Sequence, residues 1–350
     1  MSWLITGGCG FIGSNLADEL LRRGEEVILF DNLSRPGSAQ NLDWLRSNHG
    51  SDIRFVSGDI RVADDISKLV KDSRPLVIAH LAGQVAATTS IENPRLDFEV
   101  NALGALNVLE AVRIHDPAVI TLFSSTNKVY GSLDHLSYKE TATRFLAVDY
   151  DVGFDESLAL DGSTPYGCSK LTADAYFRDF YRMFGIRTIV FRHSSMYGGR
   201  QFATVDQGWV GWFCLKALEA AKNPSLTIPI AGTGKQVRDL LFSSDLVSCY
   251  LSASAAADQC AGHAFNIGGG MENSLSLIEL FGILSSNVGC DLKFSAGEWR
   301  VADQKVFVAS TMKAKAFFGW EPAVTCSDGL EQMMCWSRTM LDLKRSAKAD

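Results

Sequence analysis

Tyr166 and Lys170 stand four residues apart in Tyr166-Gly167-Cys168-Ser169-Lys170, and on a helix that spacing puts both side chains on one face. An ammonium held near a phenol lowers the phenol's pKa from about 10. A tyrosine in that position can act as a general base near neutral pH. The same pair occurs on many helices that do no chemistry, so it gains meaning from a third group. That group is Thr126, in Ser124-Ser125-Thr126, which follows the β-forming run Val119–Ser124 and offers a hydroxyl at the carboxyl end of a strand, where open parallel sheets bind ligands.

A second constellation lies upstream. Gly7-Gly8-Cys9-Gly10-Phe11-Ile12-Gly13 follows the first strand pattern and opens the first helical one. Glycines at this spacing permit a tight turn and let the N–H groups of Phe11 and Ile12 approach a pyrophosphate, whose charge favours a helix N-terminus. Asp31, followed by Asn32, closes the second strand 18 residues after Gly13, where a carboxylate binds the adenosine ribose hydroxyls. A carboxylate there repels a 2′-phosphate, which argues for NAD over NADP, with Arg35 in the next loop as the opposing sign. Asp59-Ile60 after the third strand suits an adenine contact, and a buried turn Asp reads equally well. Leu81-Ala82-Gly83 ends the fourth strand with small residues against which a dinucleotide can lie.

The elements that must position these groups are legible from periodicity. Short apolar runs at Trp3–Thr6, Glu26–Asp31, Ile53–Ser57, Leu76–Leu81, Val119–Ser124 and Thr188–Arg192 predict strands. Helical patterns at Gly10–Arg23, Ser38–Ser47, Ala63–Lys71, Phe98–Arg113 and Tyr166–Phe184 lie between them. This alternation predicts an α/β fold with a Rossmann-type doubly wound parallel sheet. After Arg192 the rhythm loosens, with helices expected at Gln207–Ala221, Ser276–Ser286 and Asp328–Leu343. The expected division is a dinucleotide-binding domain over residues 1–190, joined by a strand and helix returning near 239–257. A smaller substrate-binding lobe follows over 191–343, then a frayed tail over 344–350.

Composition bounds the function classes. With 47% hydrophobic residues and a net charge of -7 over 350 residues, the chain can bury a large core and lacks the bulk positive charge of a nucleic-acid binder. Eight cysteines stand without a CxxC pair, and no His lies at metal-ligand spacing, so no metal is expected. No apolar run reaches the roughly 20 residues of a membrane span, and the start enters a strand pattern at once, so the expected place is the cytoplasm.

The glycine turn, Thr126, Tyr166 and Lys170, in that order, make the chain resemble the extended short-chain dehydrogenase/reductases over nearly its whole length. The resemblance implies catalysis by Thr126, Tyr166 and Lys170, with a tightly held NAD that accepts a hydride and returns it. Lys170 would also bond the nicotinamide ribose. His193 is placed with the cofactor contacts, although a lone His after an apolar strand is more often a packed core residue than an acid. The segments Gly83–Ala86, Ser125–Gly131, Arg192–Phe202 and Asp206–Phe213 are most similar to family members that epimerise C2 of CDP-linked 3,6-dideoxyhexoses. The family's 4,6-dehydratases carry Asp-Glu after the catalytic Thr, and here those positions hold Asn127 and Lys128.

The same resemblance implies a nucleotide-diphosphate site at Arg238 and Arg300, whose forks suit phosphate oxygens, with Asp303 on the ribose. Gln201 is a candidate for the base. Gln84, Thr88, Asn127 and Lys128 are candidates for the sugar. A CDP-linked deoxysugar is the expected partner. The alternatives are 2- or 4-epimerisation of another nucleotide sugar, such as UDP-glucose or CDP-glucose, and a catalytically silent NAD-binding protein. The family's habit of helix-bundle association implies a homodimer or homotetramer through Phe98–Arg113 and Tyr166–Phe184.

Overall fold

The computed structural model describes residues 1–50 and 53–346. Five strands and three helices alternate first: β1 (Ser2–Thr6), α1 (Phe11–Arg22), β2 (Glu26–Asp31), α2 (Ser38–His49), β3 (Arg54–Ser57), α3 (Ala63–Ser73), β4 (Val77–His80) and, later, β5 (Ile120–Thr126). Between β4 and β5 lie the short helices α4 (Ala87–Glu92) and α5 (Pro94–Phe98), a π-helical turn over Glu99–Leu103, and α6 (Gly104–His115). A 3₁₀ turn over Asn127–Tyr130 and a hairpin, β6 (Tyr138–Glu140) and β7 (Phe145–Ala147), lead to α7 (Thr164–Phe184) and β8 (Thr188–His193).

The second half contributes β9 (Ser195–Tyr197), α8 (Trp209–Ala220), β10 (Thr227–Ala231), β11 (Val237–Phe242), α9 (Ser243–Ala255), α10 (Ala257–Cys260) and β12 (Ala264–Ile267). It ends with β13 (Ser274–Ser276), α11 (Leu277–Val288), β14 (Lys293–Gly297), β15 (Val306–Phe307), α12 (Met312–Phe318) and α13 (Cys326–Ser346).

The main sheet has seven parallel strands in the order β12-β8-β5-β4-β1-β2-β3. Alternation along β1 explains both layers. Trp3 and Ile5 join Leu16, Leu20, Leu42, Leu246 and Tyr250 in a core on one face, while Leu4 joins Ile66, Leu69, Val108, Leu109 and Phe177 on the other. Successive strand residues point to opposite faces, and a sheet covered on both sides buries nearly every strand position. Each buried leucine or isoleucine contributes about 1.5–3 kcal/mol relative to exposure. The expected doubly wound sheet is therefore present. A third core fills the smaller lobe between α8, α11 and α13.

Three details differ from the sequence reading. The segment expected to return near 239–257 splits in two. Its helix, α9, packs on α1 in the first core, but its strand, β11, pairs with β9, β13 and β15 outside the main sheet. The seventh strand, β12, stands at the sheet edge, where the sequence pattern predicts none. The helix expected to end at Leu343 runs on through Ser346, so residues 344–346 of the expected tail are helical, and 347–350 lie outside the described residues. Among the described residues no helix is long and apolar enough to cross a membrane.

Candidate active site

The glycine turn is a cradle that admits no side chains. Gly7 has φ +67°, and a Cβ there would lie 2.7 Å from the backbone nitrogen of Ala82. A Cβ on Gly13 would meet the Gly7 carbonyl at 2.3 Å. Helix α1 has no side-chain cap on its N-terminus, so its first turn presents backbone donors to the cavity there. Asp31 is locked at the end of β2, accepting Cys9 N–H at 3.0 Å and Leu33 N–H at 2.8 Å. Burial holds its carboxyl above the usual range in spite of those bonds. Asp59 forks with Arg61 at 2.7 and 3.0 Å, whose hydrogen bonds hold it near 2.

A cavity of about 480 Å³ runs from this turn past Asp31, Asn32, Asp59, Ile60 and Leu81-Ala82-Gly83. It meets a second, of about 280 Å³, lined by Phe11, Ile12, Gly13, Thr126, Tyr166, Lys170 and His193. Arg35 borders both. A third cavity of about 510 Å³ opens beyond, in the smaller lobe, and shares Ser194, Ser195 and Trp209 with the second.

Helix α7 carries the central pair. It begins with Pro165 in its first turn and ends at Gly185 with φ +69°, the usual proline-first, glycine-last arrangement. Its buried stripe of Tyr166, Ser169, Lys170, Ala173, Asp174 and Phe177 faces β5. The helix is tied down at two levels. Arg192 of β8 grips Asp174 at 2.8 and 2.9 Å. Ser169 donates to Asp97, which also receives Asn101 at 3.1 Å and Gln84 at 2.9 Å. The π turn aims Asn101 inward to make this knot, and the helix expected over Phe98–Arg113 gave no sign of it.

The electrostatics differ from the expectation for the phenol. Lys170 Nζ donates to the Ser124 carbonyl at 2.7 Å and lies 4.7 Å from the Phe123 ring centre. Burial pushes it down to about 8, with Asp97 and Asp174 opposing. Tyr166 is not depressed. Burial pushes it up to about 12 against a hydrogen bond with Thr126. The ammonium is engaged by a backbone carbonyl and does little to offset the burial of the phenol.

His193 lines the second cavity, and both its ring nitrogens are also within reach of partners, Ser124 at 3.2 Å and Tyr250 at 3.4 Å. Burial pushes it down to about 3, so the imidazole is neutral and packed.

The candidate substrate residues separate. Asn127, Lys128, Arg238, Arg300 and Asp303 all line the third cavity. Arg238 donates to Asp303 at 2.7 Å, and Lys128 approaches the same oxygen at 3.4 Å. Burial disfavours the Asp303 charge, but Arg238 and Lys128 more than offset that and hold its carboxyl below the usual range. Burial pushes Lys128 down to about 8. Arg300 donates to the Val205 carbonyl at 3.1 Å. Gln201 lies in the second cavity, and its Oε1 is buried without a partner among the described residues.

Besides Gln201, two expected residues stand apart from the third cavity. Gln84 borders the first cavity and spends its amide on Ala86 and Asp97, and Thr88 lines none of the three. The sequence reading missed Gln304 and Gln236. Gln304 is fully buried and bonded to Asn127 at 2.9 Å. Gln236 lines the third cavity with an Oε1 that has no partner among the described residues. Polar residues in loops carry no periodic signal by which either could have been singled out.

A doubly wound sheet with Thr, Tyr and Lys gathered at its carboxyl edge, where a glycine-cradled cavity meets a second lobe, is the architecture of the extended short-chain dehydrogenase/reductases. Within that class the chain belongs to the family described as GDP-mannose 4,6 dehydratase, whose model matches residues 4–333. It is 51% identical over 340 residues to CDP-paratose 2-epimerase of Salmonella typhi, covering 97% of this chain and 100% of that one. The structure is similar to UDP-glucose 4-epimerase of Thermotoga maritima solved with UDP-glucose (TM-score 0.82, 28% identity, 97% and 100% of the two chains). It is likewise similar to UDP-glucose 4-epimerase of Thermus thermophilus in complex with NAD (TM-score 0.79, 26% identity, 97% and 99%).

Proposed function

We propose that the chain is an NAD-dependent nucleotide-sugar epimerase that inverts C2 of a CDP-linked 3,6-dideoxyhexose, turning CDP-paratose into CDP-tyvelose. The observation that carries this reading is 51% identity along essentially the full length of a CDP-paratose 2-epimerase. The cavities support it. Gly7, Gly10, Phe11, Ile12 and Gly13 would hold the pyrophosphate of NAD. Asp31 and Asn32 would hold its adenosine ribose, Asp59 and Ile60 its adenine, and Leu81, Ala82, Gly83 and His193 would wall the rest. The side-chain-free cradle at Gly7 and Gly13 and the uncapped start of α1 fit that group.

Bound NAD would take a hydride from the sugar carbon and give it back. Tyr166 would take the proton of the hydroxyl on that carbon, Thr126 would hydrogen-bond the same oxygen, and Lys170 would supply positive charge and hold the nicotinamide ribose. Arg238, Arg300 and Asp303 hold the nucleotide diphosphate and its ribose, leaving the keto sugar free to present its other face. Gln201 would meet the base, and Asn127 and Lys128 the sugar. Asn127 and Lys128 stand where dehydration needs an acid/base pair, which argues against 4,6-dehydration.

Exposed Phe98, Ile114, Tyr176, Met183 and Phe184 on α5, α6 and α7 support assembly as a homodimer or homotetramer. The eight cysteines, all free, suit a reducing cytoplasm.

The test is incubation of the purified protein, without added cofactor, with CDP-paratose, CDP-glucose and UDP-glucose in parallel, followed by NMR of the ring protons. A change of the CDP-paratose C2 coupling to the manno pattern is expected. Conversion of UDP-glucose alone would replace the substrate and the carbon. No conversion, with NAD released on denaturation, would leave a silent binding protein.

A further inference from the structure

Lys170 is buried, and the hydrogen-bond partner of its ammonium among the described residues is neutral, the Ser124 carbonyl at 2.7 Å. A buried charge without a counter-charge is costly, and two acids face this one. Asp174, one turn along the same helix, is already spent on cations: Arg192 takes both its oxygens at 2.8 and 2.9 Å, and Arg178 adds a bond at 2.9 Å. Asp97 is 1% exposed, and its partners among the described residues are uncharged donors, the Gln84 amide at 2.9 Å, the Asn101 amide at 3.1 Å and the Ser169 hydroxyl.

Backbone groups fix the direction of both amides. Gln84 Oε1 accepts the Ala86 N–H at 2.5 Å, and Asn101 Oδ1 accepts the Gln84 N–H at 3.0 Å. A backbone N–H only donates, so both amide nitrogens are left to face Asp97 Oδ1. Ser169 also reaches the Tyr166 carbonyl at 3.1 Å, but a charged oxygen is the stronger acceptor of its proton. Donors arranged in this way favour the ionised carboxyl and oppose the burial that pushes it up. The same fixing turns the Asn101 oxygen toward Lys170: a Cβ placed on Gly83 would stand 3.1 Å from that oxygen and 3.4 Å from Lys170 Nζ. The Asn101 amide thus has its negative end on the side of the ammonium and its positive end on the carboxylate.

We propose that Asp97 is a positioning residue that supplies the counter-charge of Lys170, with the Asn101 amide aligned between them. The carboxylate keeps the ammonium charged in the dry interior, and the knot that carries it ties Gln84, next to Gly83 on the cofactor wall, to the helix face of Tyr166 and Lys170. This deepens the epimerase reading and rests on Lys170 as the cation of that reaction. The charged and titratable groups that face Lys170 are few. Asp97 lies on α5, Asp174 and Tyr166 on its own helix with Arg178 and Arg192 beyond Asp174, and the neutral imidazoles of His80 and His193 on β4 and β8. Among them Asp97 is the acid whose charge no arginine cancels.

The experiment is an NMR titration of protein labelled with carbon-13 at lysine Cε, purified with its cofactor and without substrate, the Lys170 resonance being identified by its loss in Lys170→Met. Asp97→Asn keeps an oxygen for both amides and removes the charge, so Lys170 loses its proton at a pH lower by about one unit, the small end of the effect of a nearby opposite charge. Asp97→Ser, neutral and smaller, gives the same fall and serves if Asp97→Asn does not fold. Ser169→Ala loosens the knot but keeps the charge, and it leaves the Lys170 titration in place. An unmoved titration in the neutral variants, or a fall in Ser169→Ala equal to theirs, overturns the proposal. Because no turnover is measured, either result stands apart from whether CDP-paratose is the substrate.

Discussion

The ring of Phe202 fills the place that any side chain at Gly37 would take: a Cβ there would stand 2.2 Å from it, and Gly37 has φ +92° besides. The loop from Gly198 to Phe202 is thereby pinned across the start of α2. Arg200 reinforces it, its guanidinium 4.0 Å from the Trp336 ring centre and 4.6 Å from that of Trp44. Asn41 and Asn15 donate to the Arg200 and Gly199 carbonyls at 3.2 and 3.0 Å. Arg200, Gln201 and Phe202 all line the second cavity, so this segment straps the place where the dinucleotide would lie.

Loosening the strap is expected to release the cofactor. Gly37→Ala displaces Phe202, and Arg200→Ala removes two cation–π contacts of about 0.5–2 kcal/mol each. Either variant should lose bound NAD about tenfold faster than the parent protein, a change of about 1.4 kcal/mol in the barrier. The measurement is NAD released by denaturation after timed gel filtration, and equal retention by both variants and parent would remove the strap from the account.

Tyr166→Phe should abolish turnover while leaving NAD in place. General acid–base groups contribute about 10²–10⁴-fold, and the residual rate should fall by at least that. Lys170→Ala has two consequences because its ammonium reaches into the cofactor side and onto the Ser124 carbonyl. It should lower both kcat and NAD content. A Lys170→Ala protein with full NAD and unchanged kcat would remove Lys170 from both the cofactor site and the chemistry.

Much of the sheet, and the meeting of Thr126, Tyr166 and Lys170 in one cavity, was legible in the sequence, and the physical reasons for success and failure differ by residue. Strands β1 and β2 are apolar runs buried on both faces, and α1 and α7 carry apolar stripes at helical spacing, so periodicity found them. Strand β12 has four residues, all buried, and it follows α10 in the half of the chain where the alternating strand–helix rhythm that marked β3 and β4 has loosened. The π turn at Glu99–Leu103 adds one residue to a helix whose apolar pattern reads as continuous. Gln84 was a sugar candidate by resemblance alone, and no spacing in the sequence shows that its amide is bonded to Ala86 and Asp97. The depressed phenol expected from Tyr–Lys spacing failed because spacing fixes a helix face and not the direction of an ammonium, which here turns to a carbonyl.

Acid should destabilise the protein through two imidazoles. His80 lies between the Phe123 and Phe177 rings, its Nδ1 2.7 Å from Thr6 Oγ1, and burial pushes both His80 and His193 down to about 3. In the unfolded chain they protonate near 6.5. Their share of stability is therefore complete above that value and lost as pH falls from 6.5 toward 3, at about 1.4 kcal/mol per pH unit for each imidazole. Asp239, raised to about 6 by burial, opposes this only below its own titration. Urea unfolding from about pH 7 to about pH 5.5 should show the loss, with His80→Asn removing roughly half of the slope. A slope unchanged by that substitution would mean that His80 is charged in the fold.

Arg238 and Asp303 should govern nucleotide affinity by charge. Arg238 Nη2 rests 2.7 Å from Asp303 Oδ1, with Lys128 3.4 Å from the same oxygen, so one carboxylate holds two cations at the mouth of the third cavity. Arg238→Ala removes a charged fork whose bonds to phosphate are worth about 1.5–3 kcal/mol and should weaken CDP binding by about 10–100-fold. Arg238→Lys keeps the charge but loses the planar pair of donors, and should fall between. Asp303→Asn removes the holding charge, so it should raise affinity for inorganic pyrophosphate while lowering that for CDP, whose ribose loses its acceptor. Calorimetric titration with both ligands separates these effects. CDP bound as tightly by Arg238→Ala as by the parent would place the diphosphate elsewhere in the cavity.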